Sequence, residues 1–256
     1  MRRTPPSTSS GTATGASAAA LILTDVPGNI QPLPMDPVRF SGMHLVEWAA
    51  MAARRAGIGR IHIVGTEAAE SDVLGRLDAR GVDVTAASHD GRPFHTAPTN
   101  DTVVLLSAYT IVEPAVITAL LGRASRAPGY GSMLVDDRAE ARHRSLTIED
   151  SRVRSVTGDG TAAGLDVMTL SWASVDLIRR ARSLTEAADR LIRASTLQAI
   201  PIGDRFAARL DDVSELKALE RQYAAHVRGA KLHRLTAGVL EHLSLPFSQL
   251  RAQYHF

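Results

Sequence analysis

The chain has 256 residues, 45% of them hydrophobic and 22% charged, which is enough apolar material for one large α/β domain or two small ones. Its 29 Lys plus Arg nearly balance 27 Asp plus Glu, and only 4% of residues are aromatic, which argues against a base-stacking surface and a nucleic-acid partner. The absence of cysteine excludes disulfides, a thiolate nucleophile and cysteine-bound zinc, and fits a reducing, cytoplasmic setting.

Residues 1–17, rich in Pro, Ser, Thr, Gly and Ala, predict a disordered tail. The apolar run after them is too short for a secretory core, and no segment approaches the roughly 18 apolar residues of a membrane span. Ala20–Leu23 reads as a buried strand. Gly42–Arg55 then carries Leu45, Trp48, Ala49 and Ala52 at helical spacing, Gly57 stops the helix, and Ile61–Val64 resumes a strand. Ser71–Arg80 fits a short helix and Val82–Val84 a third strand. Val103–Leu106 is a continuous apolar run, as in a parallel strand covered on both faces. Glu113–Arg123 follows as a helix, with Val116, Ile117, Leu120 and Leu121 on one face.

From Gly131 to Ala163 the pattern changes. Met133–Val135, Ser145–Ile148 and Arg152–Val156 are short and alternating, as in hairpins. Strand and helix alternate again with Leu165–Leu170, Ala173–Arg182, Leu184–Ala194, Ala199–Ile202 and Ala207–Leu210. Asp212 or Ser214 can cap a helix reaching about Val227, with Leu216, Leu219 and Tyr223 turned inward. This order predicts one α/β domain over residues 18–228, a Rossmann-like three-layer sandwich with a mostly parallel sheet and a small antiparallel hairpin insertion. Residues 229–256 predict an amphipathic helix and tail.

Several motifs dissolve on inspection. Gly158–Gly164 imitates a dinucleotide fingerprint, but it has one residue too many and precedes a strand where a helix is required, so it reads as a hairpin loop. His226, His233 and His242 lack metal-ligand spacing, and there is neither a P-loop nor a Gly-x-Ser-x-Gly elbow.

Four segments in order, Ala20–Gly65, Asp101–Leu121 (DTVVLLSAYTIVEPAVITALL), Arg152–Ala181 and Arg205–Gln222 (RFAARLDDVSELKALERQ), resemble landmarks of sugar-phosphate and polyol-phosphate nucleotidyltransferases. They are similar in particular to the cytidylyltransferase-like domain that precedes the membrane part of some CDP-alcohol phosphatidyltransferases. The likeness covers about Ala18 to Arg228 and implies a fold of the nucleotide-diphospho-sugar transferase type. It also implies transfer of CMP from CTP to a polyol or sugar phosphate, with Mg2+ and release of pyrophosphate. Carried onto this sequence, the resemblance puts Asp25 and the backbone of Gly28 and Asn29 beside the nucleotide, Arg39 against phosphate, and Asp211 with Asp212 on the metal.

The sequence also departs from that pattern. The loop Thr24–Pro32 has one Gly, two Pro and no cation, the expected Lys falls near Met35, and the first metal carboxylate's place reads Ser107-Ala108-Tyr109. These departures carry the alternative of a non-catalytic relative that serves as a binding or partner domain for a membrane CDP-alcohol phosphatidyltransferase. A glycosyltransferase of related fold would need a paired-carboxylate motif that the sequence lacks. Residue by residue, plainer readings stand alongside: Asp211 or Asp212 as a helix cap, Arg39 as a surface cation, Asp25 as a turn residue. The basic, leucine-bearing segment after Arg228 suits docking on its own domain, on a partner or at a membrane surface.

Overall fold

The structure is a computed structural model that describes residues 18–24, 38–65, 71–88, 92–95, 97–98, 101–127, 129–136, 145–157 and 162–243, the last stretch as backbone only from residue 230. In chain order it comprises β1 (Ala18–Leu23), the short strands β2 (Arg39–Phe40) and β3 (Met43–His44), α1 (Leu45–Arg55), β4 (Arg60–Gly65), α2 (Ser71–Ala79), β5 (Val84–Ser88), β6 (Thr102–Ser107), β7 (Thr110–Val112) and α3 (Pro114–Arg126). There follow β8 (Gly131–Asp136), β9 (Ser145–Glu149), β10 (Arg152–Thr157), β11 (Ala162–Leu170), α4 (Trp172–Ile178), α5 (Leu184–Arg193), β12 (Leu197–Pro201), β13 (Ala207–Arg209), a 3₁₀ turn at Val213–Glu215 and α6 (Leu216–Leu243).

Among the described residues nine strands form one sheet in the order β5-β4-β1-β6-β11-β8-β12-β10-β9. The first four are mutually parallel, and β1 and β6 among them carry the near-continuous apolar runs of strands covered on both faces. β11 enters antiparallel between β6 and β8, and β12 lies parallel to β8. β9 and β10 form the expected hairpin. Two small pairs stand apart from the main sheet, β13 with β7 and β2 with β3.

Side chains alternate across each strand, so β1 feeds two cores. Ala20 and Ile22 meet Val104, Leu106 and the apolar stripes of α1, α2 and α3. Leu21 and Leu23 point the other way, joining Val103, Leu105 and residues of α4 and α5 such as Val175, Ile178 and Leu191. The result is the three-layer sandwich expected from the sequence. A third cluster, with Phe40, Leu45, Tyr109, Ile111 and Phe206, receives Leu219 of α6.

Local chemistry sets the helix ends. Glu47 in the first turn of α1 accepts the His44 N–H at 3.2 Å, and Gly57 with φ of 92° turns the chain away at the other end. Ser183 Oγ accepts the Glu186 N–H at 3.1 Å to start α5.

Two elements differ from expectation. Met133–Val135 lies in an interior strand of the main sheet, with five of the six β8 residues buried, because β11 and β12 flank it. The helix expected to end near Val227 continues to Leu243. An isolated glycine such as Gly229 costs a helix only about 1 kcal/mol, too little to end it.

Candidate functional site

In an open parallel sheet the loops at the carboxyl ends of the strands form the binding crevice. Here β1 and β6 end side by side, with the Ala108 N–H donating to Leu23 O at 2.8 Å and the Thr24 N–H to Val64 O at 3.0 Å. After Ser107 the chain turns into β7, which pairs with β13, and the Leu210 N–H donates to Tyr109 O at 2.8 Å. That pairing brings Asp211, two residues beyond Arg209, to the end of β6.

The neighbouring strand supplies a second carboxylate. Val167 pairs with Leu106, so Asp166 comes one step further along, beside Ser107. The Thr110 hydroxyl donates to Leu165 O at 2.9 Å and ties this stretch to β7. Between Gly164 and Met168 the β8 register shifts, and Asp166 takes a φ of 54°. An aspartate tolerates that left-handed conformation better than most residues, and a bulge of this kind re-aims a side chain.

Arg209 lies between the two carboxylates. Its Nη1 is 3.2 Å from Asp166 Oδ2 and its Nε 2.7 Å from Asp211 Oδ1. Asp166 is 3% exposed and Arg209 11%, so the charges interact away from bulk water, where an unpaired carboxylate would be costly. The Nε approach is a charge contact rather than an aligned hydrogen bond, since Asp211 Oδ1 is buried with no hydrogen-bond partner among the described residues. One guanidinium thus faces two carboxylates.

The sequence-predicted residues fall in different places. Asp211 lies in this cluster. Asp212 caps the 3₁₀ turn before α6, accepting the Ser214 N–H at 2.7 Å, and that backbone donor holds its carboxyl below the ordinary value. Arg39 is exposed on β2, across from His44, and makes no ion pair among the described residues. Asp25, Gly28 and Asn29, with Met35, lie outside the described residues. Ser107, Ala108 and Tyr109 are all buried.

Asp166 and Arg209 were missed in the sequence. Their signal was there: each is a lone charge within an otherwise apolar strand, a placement that calls for a buried partner.

The resemblance to nucleotidyltransferases implies Mg2+ at this edge, and the described residues alone do not make a closed site for it. Among them no group of three or more His, Asp or Glu could hold a metal ion. The two carboxylates that do converge already share a guanidinium, whereas a hard cation wants about six oxygen ligands. No helix of the described residues is long and apolar enough to cross a membrane.

No protein-family profile matches the chain, and no curated protein matches it significantly. Among solved structures it is similar to the inositol-1-phosphate CTP transferase from T. maritima, with a TM-score of 0.62 and 15% identity over 81% of this chain and 97% of that one. It is also similar to a structure described as a glucose-1-phosphate thymidylyltransferase from Bacillus anthracis in complex with a sucrose, with a TM-score of 0.66 and 13% identity over 80% of this chain and 95% of that one. At such identities the likeness concerns architecture: the chain has the α/β fold of the nucleotide-diphospho-sugar transferase type.

Proposed function

We propose that this chain is a nucleotidyltransferase-type protein that has left metal-dependent transfer and keeps its cleft as a binding module, with a membrane CDP-alcohol phosphatidyltransferase as its partner. The observation that carries the reading is the guanidinium of Arg209 between Asp166 and Asp211. Nucleotidyl transfer from a triphosphate depends on positive charge gathered over the phosphates by metal, cations and backbone donors. Here a guanidinium already stands between the two carboxylates, and Thr24–Pro32 contains no Lys or Arg. The partner assignment is supported by the resemblance to domains that precede such membrane enzymes.

The second reading is transfer of CMP from CTP to a polyol or sugar phosphate with Mg2+, and it is favoured by the retention of Asp211 at the end of β6. Pyrophosphate release separates the two. The expected result is no turnover with any of the four nucleoside triphosphates across inositol, glycerol and sugar phosphates. Sustained release with CTP, lost on Asp211→Asn, would make the second reading the correct one.

A further inference from the structure

The Asp166–Arg209–Asp211 cluster combines three features that ordinary packing does not require together. Asp166 is 3% exposed and held at positive φ in a bulge of a nine-residue strand. Residues kept in such strained conformations concentrate at sites with a task. Arg209 is fixed by the pairing of β13 with β7, opposite Thr110, and reaches both carboxylates from there. Finally, Asp211 Oδ1 is buried and lies close to a cation without an aligned N–H, so its lone pairs are met by charge rather than by a directed donor.

We infer that Arg209 is the resident cation of this cleft: its guanidinium holds Asp166 and Asp211 together in the role that a divalent metal would otherwise fill, and it makes the native site indifferent to divalent metals. This builds on the reading of a site withdrawn from metal chemistry and names the residue responsible. The physical argument is one of charge. Two carboxylates brought together, Asp166 buried and Asp211 partly so, need a counter-charge, and a covalently attached guanidinium supplies it at no cost of capture and at every metal concentration. A metal entering between them would have to displace Arg209 into a setting where its own charge lacks a partner.

The test uses the full-length chain and Mn2+ as the probe, read by thermal unfolding and by electron paramagnetic resonance of the free ion. Native protein should show the same Tm in chelator and in millimolar Mn2+, and should leave the free-ion signal unchanged. Arg209→Met, which keeps the length of the stem and removes the charge, should unfold earlier at neutral pH. Mn2+ should raise its Tm by roughly 3–5 °C at about ten times the dissociation constant. Arg209→Met combined with Asp211→Asn should lose the Mn2+ response, and Arg209→Lys should retain native indifference. A purely structural arginine would give none of this metal dependence, so an Arg209→Met protein that ignores Mn2+ overturns the proposal.

Native protein that binds Mn2+ and loses that binding on Asp211→Asn overturns it as well, even where Arg209→Met fails to fold. Turnover of CTP by a native protein indifferent to Mn2+ would sink the non-catalytic reading and leave this inference standing.

Discussion

Tyr223 on α6 meets Trp48 on α1 edge-on, with ring centroids 5.3 Å apart and planes at 90°. Phe40 and Phe206 stand edge-on to the same tyrosine at 5.6 and 5.2 Å, and His226 one turn further on reaches Glu113 at 3.3 Å. Beside Leu219, the early turns of α6 therefore dock on the domain through this ring, whose hydroxyl is pushed above its ordinary pKa by burial and by nearby Glu113. Tyr223→Ala should cost about 2–3 kcal/mol, less than a fully buried ring, because one side of the tyrosine remains solvated. Urea unfolding followed by tryptophan fluorescence measures it; an unchanged midpoint would mean that α6 does not contribute through this contact.

Glu47 is 2% exposed at its side chain, with Oε1 2.5 Å from Arg76 Nε and Arg80 at 3.9 Å. The Arg76 guanidinium is correspondingly held above its usual pKa, first by its hydrogen bond to Glu47. Removing the arginine leaves a buried carboxylate with only the distant Arg80, whereas Glu47→Gln removes the charge, keeps an acceptor for the His44 N–H and frees two cations that already reach water. Arg76→Met is therefore expected to destabilise more than Glu47→Gln, and the double variant should recover part of the loss. A double-mutant cycle by chemical denaturation decides it, and the reverse order of the single variants would contradict the account.

His62 lies half-buried in β4, paired with Leu21 of β1 and Thr85 of β5. Burial, then the neighbouring Arg60 charge, lowers its pKa from the ordinary 6.5. The folded state thus binds this proton less tightly than the unfolded chain does. The stability it contributes is complete above the unfolded value and is lost as pH falls from there through the depressed folded value. Stability should decline on acidification below pH 6.5, and His62→Gln should flatten that slope. Unfolding midpoints across this range give the slope, with proton NMR titration of the ring as the direct check.

Gly131 opens β8 among leucines, and a Cβ there would come 3.0 Å from Leu170 Cδ2 and 3.4 Å from Leu191 Cδ1. Both contacts are the ends of flexible side chains, so the site can give but not without cost. Gly131→Ala should destabilise by about 1–2 kcal/mol. A thermal scan that finds it neutral would mean that the two leucines repack freely.

What was readable in the sequence follows the range of the forces involved. Ala20–Leu23 and Val103–Leu106 announced themselves as buried strands because covering both faces leaves an unbroken apolar run, and Ile61–Val64 did so with His62 as its one polar position. Leu165–Leu170 was likewise legible as strand. The resemblance led to Asp211, while Asp212's role as a cap came from its position before a helix. The Arg209 contact with Asp166 was not legible, because it exists only once β11 lies beside β6 and β13 beside β7, a matter of sheet order that no local pattern encodes. Met133–Val135 was misread as hairpin for the same reason: its polar flank, Ser132, is buried by neighbours distant in sequence. Of the expected nucleotide loop, Asp25, Gly28 and Asn29 lie outside the described residues.

The place of β11 has a bearing on how the molecule comes into being. Strands β5, β4, β1 and β6 are all contained in the first 107 residues, yet the far flank of β6 is claimed only by residues 162–170. During synthesis, β6 therefore waits with an open row of peptide N–H and C=O groups while some fifty residues emerge from the ribosome, a wait set by the gap between Ser107 and Ala162. Such an open apolar flank invites pairing between nascent chains, which makes the arrival of β11 the event that protects the molecule from its own copies.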